Sequence, residues 1–94
     1  FEHAGDHAGG WETSHMLAIH PDTVDLDLLP PEGTPPVGVG AYLDPREATA
    51  AFGERTLNAA AEVVIREVQD RMEHPARYRG HGCSLNEGLW RENW

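Results

Sequence analysis

The chain has 94 residues, 16 acidic and 7 basic side chains, and a formal net charge of −9, a length that allows one domain at most. Every basic side chain is Arg, and so acidic a chain lacks the cationic surface that displaces phosphate counterions or binds anionic lipid, which argues against nucleic-acid and membrane partners. No apolar run approaches the roughly 18 residues of a bilayer span, and the lone Cys83 excludes an intrachain disulfide and a cysteine-based zinc site, in keeping with a reducing, cytoplasmic setting.

The sequence opens on Phe1 with no signal-peptide pattern behind it, and reads as a piece of a longer polypeptide, cleaved or split. Residues 1–12 are rich in Gly and His and read as a loop. Thr13 or Ser14 suits the cap of a short helix over about 13–20, which Pro21 ends. Residues 22–29 (DTVDLDLL) alternate apolar and acidic side chains and predict a half-buried extended segment. Residues 30–40 hold four prolines and three glycines and predict a surface loop, with Val37, Val39 and Tyr42 able to add short extended pairing.

Asp44-Pro45-Arg46-Glu47 carries a helix-start signature: a capping Asp, Pro at the first helical position, and Glu three residues after the cap. The helix predicted from it runs to about Met72. Leu57, Ala61, Val64, Val68 and Met72 form one stripe with Ile65 beside it, which predicts a core face. Gly53 leaves room for another backbone, and Pro75 ends the helix. The division expected is 1–73, holding these elements, and 74–94, a tail whose Trp90 and Trp94 dock it on the assembly. Two helices and a tail bury too little surface to offset chain entropy, so most of the core is expected from another chain.

The chemistry concentrates near the start, where Glu2, His3, Asp6, His7, Glu12 and His15 lie on glycine-rich backbone ahead of a helix. Histidine is the usual proton-transfer side chain near neutral pH, and a carboxylate nearby can orient it. His3 and His7 have a spacing that binds metal on a helix, but Gly5 and Gly9 argue against a helix there. Glu12 also suits the positive end of a helix dipole, and His15 and His20 read as packing or capping groups. Cys83 has no visible activating partner, and Ser14 has no nucleophile-elbow glycines around it.

The run GDHAGGWETS (5–14), continued by HMLAIHPDTVDLD (15–27), resembles the C-terminal part of the creatininase (creatinine amidohydrolase) family, whose pattern is HAG-x-x-ETS-x-ML-A-x-x-P-x-x-V. GVGAYLDPREATAAFGERTLNAA (38–60) resembles the family's approach to its final helix, so the likeness covers about residues 5–73. The resemblance implies an α/β fold, here the C-terminal portion of a three-layer α/β/α sandwich completed by another chain. It implies hydrolysis of an amide-type C–N bond in a small-molecule substrate, with water activated by two divalent metal ions (Zn, Mn or Fe), in a hexamer of units. His7 matches the family's catalytic histidine, with Glu12 supporting its loop; Asp6 and Trp11 fall in the substrate pocket. The family's metal ligands lie upstream, in an E-x-H…D segment and a glycine- and asparagine-rich loop not found here. No ligand is therefore expected in this chain, and the N-terminal chain of the same enzyme is expected to supply them. Two alternatives stay open: a creatininase-like peptidase trimming a peptide precursor, and a non-catalytic structural subunit.

Overall fold

The computed structural model describes residues 1 and 4–79. Helix α1 spans Gly10–Ile19, several residues earlier than the sequence predicts. Its cap position is Gly9, which has no side chain to offer. The first-turn N–H groups of Trp11 and Glu12 donate instead to the two carboxylate oxygens of Asp6, at 2.8 and 3.1 Å. Those N–H groups have no partner within a helix, so a carboxylate upstream moves the start upstream. Thr13 and Ser14 consequently lie inside α1. The helix ends where the N–H of His20 closes on Met16, and Pro21 opens a short 3-10 turn, Pro21–Thr23.

The alternating segment does not extend. Leu26–Leu28 forms a second 3-10 turn, started by the Asp25 carboxylate accepting from the Asp27 N–H at 3.1 Å. Residues 30–43 follow as turns and irregular backbone, with Gly33 and Gly38 at left-handed φ of 88° and 82°. Asp44 caps as predicted, but what it caps is a third 3-10 turn, Pro45–Glu47. The Arg46 N–H, and then its guanidinium at 3.0 Å, hold the Asp44 carboxyl below its usual range. Arg46 also reaches the carbonyl of Pro30, tying the proline loop to this turn. Ala48 is extended (φ −61°, ψ 139°) and breaks the run. Thr49 then caps the true start, its hydroxyl accepting from Phe52 N–H at 3.1 Å, and α2 runs over Ala50–Glu73. Pro75 opens a further 3-10 turn, Pro75–Tyr78.

The α/β expectation is corrected by this arrangement. Among the described residues there is no strand. The extended pairing they contain is one isolated antiparallel bridge, His7 to Gly40, with both N–H···O distances 2.9 Å. These residues are helices and 3-10 turns, not a portion of a three-layer α/β/α sandwich. The physical reason lies in the segments that would have had to pair. Prolines 30, 31, 35 and 36 have no N–H to give a ladder, the left-handed glycines turn the chain, and Pro21 and Asp25 bend the alternating stretch into turns.

The chain divides into two compact units, Phe1–Ala60 and a second opening at Ala61. The first is built on a close crossing of α1 and α2. Ser14 is fully buried, Thr56 nearly so, and the buried apolar side chains among the described residues are Pro45 and Ala48. A Cβ on Gly53 would overlap the Ser14 carbonyl, so the predicted close approach is realised here. The Ser14 hydroxyl donates to the Gly10 carbonyl and accepts from Thr49 N–H at 3.1 Å, and His15 Nε2 meets Thr56 Oγ1 at 2.9 Å.

In the second unit the stripe predicted as core is bare: Val64 is 60%, Val68 49% and Met72 77% exposed. That unit is fixed by polar contacts instead. The Asp70 carboxylate accepts from His74 Nδ1 at 3.1 Å, from Arg77 at 3.3 Å and from the Tyr78 hydroxyl, and the Arg71 guanidinium sits 4.4 Å from the Tyr78 ring centre. The predicted tail from residue 80 onward, with Cys83, Trp90 and Trp94, lies outside the described residues, as do Glu2 and His3.

Candidate functional site

The glycine-rich loop before α1 is held by two carboxylates acting in opposite directions. Asp6 reaches forward to the N–H groups of Trp11 and Glu12. Glu12 reaches back, its Oε2 accepting from Ala8 N–H at 2.8 Å. Ala8 has φ 54°, a left-handed conformation that an L-residue keeps only when its surroundings hold it there. His7 lies between these two anchors. Its own N–H and C=O are both taken by Gly40, while its side chain is exposed. The histidine is thus a solvent-facing imidazole on backbone fixed from three sides, which is what a positioned proton-transfer group requires.

The residues flanking His7 open onto different clefts. Asp6 lines one of about 600 Å³, together with Trp11, Tyr42, Leu43, Phe52 and Arg55. Ala8 and Glu12 lie on another of about 550 Å³, whose walls include Met16, Leu29 and Val37. Trp11 anchors the first cleft by edge-to-face contacts, with ring centres 5.4 Å from Phe52, 5.8 Å from Phe1 and 5.7 Å from His15. Arg55 lies over the Phe52 ring at 5.4 Å.

Of the residues singled out from the sequence, Asp6 and Trp11 come together in one cleft, and Glu12 braces the backbone next to His7. Asp6 has both oxygens engaged by the helix, so it sits at the cleft as a support rather than as a free acceptor. Tyr42, Phe52 and Arg55 were not among the predicted residues. Phe52 and Arg55 fall on one face of α2 at i, i+3 spacing, which is a visible sequence signal; the return of Tyr42 to this cleft follows from the His7–Gly40 bridge and has none.

A divalent ion needs several oxygen or imidazole donors converging on one point. No group of three or more His, Cys, Asp or Glu side chains able to hold a metal occurs among the described residues. The two best-placed carboxylates, Asp6 and Glu12, are already bonded to backbone N–H groups. The donors described here do not fit such an ion by themselves. No described helix is long and apolar enough to cross a membrane.

Compared with known proteins, the chain matches a family model described as Creatininase: Creatinine amidohydrolase, over residues 1–68. No curated protein and no solved structure matches it.

Proposed function

The chain belongs to the creatininase family, and from that premise we propose that it is the C-terminal chain of a split or cleaved amidohydrolase acting on an amide-type C–N bond in a small molecule. Family membership carries the coarser part of this, a relationship to amidohydrolases and hydrolase chemistry in general. The finer part is supported by the doubly braced His7 loop. When an amide C–N bond breaks, the departing nitrogen needs a proton, and an exposed imidazole on fixed backbone is suited to deliver it. His7 is the catalytic residue in this reading. Glu12 is a positioning residue, acting through Ala8 N–H, and Asp6 is a second one, acting through the first turn of α1. Trp11 shapes the substrate pocket.

The metal ions that the family generally uses find no fitting donor set among the described residues. Their ligands are assigned to the N-terminal chain of the same enzyme, and the part of this chain is proton transfer and positioning. The test is His7→Ala in the full protein, assayed for ammonia or amine release from a panel of small cyclic and linear amides. Turnover is expected to fall by about 10²–10⁴, with helical content and assembly mass unchanged. Undiminished turnover would remove His7 from the reaction.

A further inference from the structure

We infer that the Trp11 cleft binds the carboxylate of a planar or aromatic ligand, with Arg55 as its counter-ion. Arg55 is the one cationic side chain among the described residues lining this cleft. Its guanidinium lies over Phe52 at 5.4 Å and near Phe1 at 6.0 Å. A guanidinium beside aromatic rings keeps N–H donors in a planar fork, and two of them side by side can grip a carboxylate with parallel hydrogen bonds. No carboxylate among the described residues pairs with Arg55, whereas Arg46 holds Asp44, Arg71 holds Glu67 and Arg77 holds Asp70.

The two carboxylates that line the same cleft do not compensate Arg55. Asp6 is bonded to two N–H groups at the positive end of α1. Glu47 is exposed and forms no ion pair with Arg55. The remaining walls are suited to a flat group: Trp11 and Phe52 stand edge-to-face at 81°, and Tyr42 lines the cleft with them. About 600 Å³ is within the range of small-molecule sites. Joined to the proposed amide hydrolysis, on which this step rests, the substrate class is an amide that carries a carboxylate next to a planar group.

The experiment reads binding alone, so its failure is separable from that of the His7 assignment. Benzoate and its neutral isostere benzamide are titrated by calorimetry into the full protein, into Arg55→Gln and into Arg55→Lys. Benzoate is expected to bind about tenfold or more tightly than benzamide. R55Q is expected to abolish that preference, and R55K to keep part of it because charge survives without the bidentate edge. Equal affinity for the two probes, benzoate binding unchanged in R55Q, or no benzoate binding at millimolar concentration would each overturn the inference. Arg55 is exposed on α2, so R55Q should fold; equal helical ellipticity checks this, and R55K repeats the comparison with charge retained.

Discussion

The first turns of α2 and its later turns are packed on opposite terms. Early in the helix the buried residues are Gly53 and Thr56, neither of them large or apolar. Later, Val63, Val64, Ile65, Val68 and Met72 are all about half exposed or more. Burial where α1 and α2 cross follows backbone proximity and satisfied hydrogen bonds, not apolar area. Gly53 admits the Ser14 carbonyl, Thr56 bonds its own helix at Phe52 and Gly53 and meets His15, and Ser14 bridges Gly10 to Thr49. A helix pair assembled in this way is sensitive to a single methyl group and insensitive to the loss of several from the stripe.

Gly53→Ala is where that contrast predicts the largest effect. Two contributions oppose each other. Alanine gains about 1 kcal/mol of helix propensity over glycine. Its Cβ, however, meets the carbonyl carbon and oxygen of Ser14, which are backbone and cannot swing away. Overpacking of this kind costs about 1–3 kcal/mol, with the upper end expected because backbone must move. The net expectation is a destabilisation of about 1–2 kcal/mol, read as a lowered midpoint in thermal unfolding. A stabilised variant would show that the two backbones do not meet at this distance.

The stripe supplies the complementary, smaller effect. Valine and serine have similar helix propensities, so Val64→Ser and Val68→Ser report burial and little else. With both side chains about half exposed or more, each substitution should change unfolding stability by less than about 0.5 kcal/mol. A loss above about 1.5 kcal/mol in the full protein would show that the stripe is covered there.

The same division separates what the sequence reveals from what it conceals. Signals carried by a residue's own backbone chemistry are legible: Pro75 ends α2, Gly53 marks a close approach, and Asp44 caps the turn that follows it. Signals that depend on which of two caps prevails are not. Asp44 and Thr49 are both good caps, and the extended Ala48 between them decides that the long helix belongs to Thr49. Glycine at the cap of α1 conceals that Asp6, three residues upstream, starts the helix; Glu12 at the third helical position was the visible half of that pair. The alternation in 22–29 is real, but the Pro21 carbonyl, accepting from Val24 N–H, and the Asp25 carboxylate, accepting from Asp27 N–H, give the backbone nearer hydrogen-bond partners than a neighbouring strand would. At the candidate site, His7, Asp6, Glu12 and Trp11 lie close in sequence; Asp6 and Trp11 share a cleft, and Glu12 braces the backbone beside His7. Tyr42, Phe52 and Arg55 reach the cleft from distant parts of the chain, and their meeting with Asp6 and Trp11 there depends on tertiary contacts that no local pattern encodes.

The end of α2 offers the subtlest expected effect, one of titration rather than of packing. Asp70 is a polar hub, and the Tyr78 hydroxyl bonded to it does most to hold its carboxyl below the usual range, followed by His74 and Arg77. The same bond raises Tyr78 above the ordinary phenol value, because ionising the phenol would set it against a carboxylate. The sign differs on the two flanks. A lowered carboxyl contributes stability that is present above its ordinary value and lost as pH falls through the lowered one. A raised phenol contributes stability that is present below about 10 and lost as pH rises through the raised value. The contact between residue 78 and the helix end is therefore expected to hold across the neutral range and to release at both extremes. Asp70→Asn removes the charge but keeps an acceptor, so Tyr78 should titrate at lower pH than in the parent without loss of helix. Ultraviolet absorbance of the phenolate reads this directly in a Tyr42→Phe background of this chain, whose remaining tyrosine is Tyr78. An unchanged midpoint in D70N would mean that the hydroxyl does not rest on Asp70 in solution, and that the Asp70 carboxylate is not what holds the turn over Pro75–Tyr78.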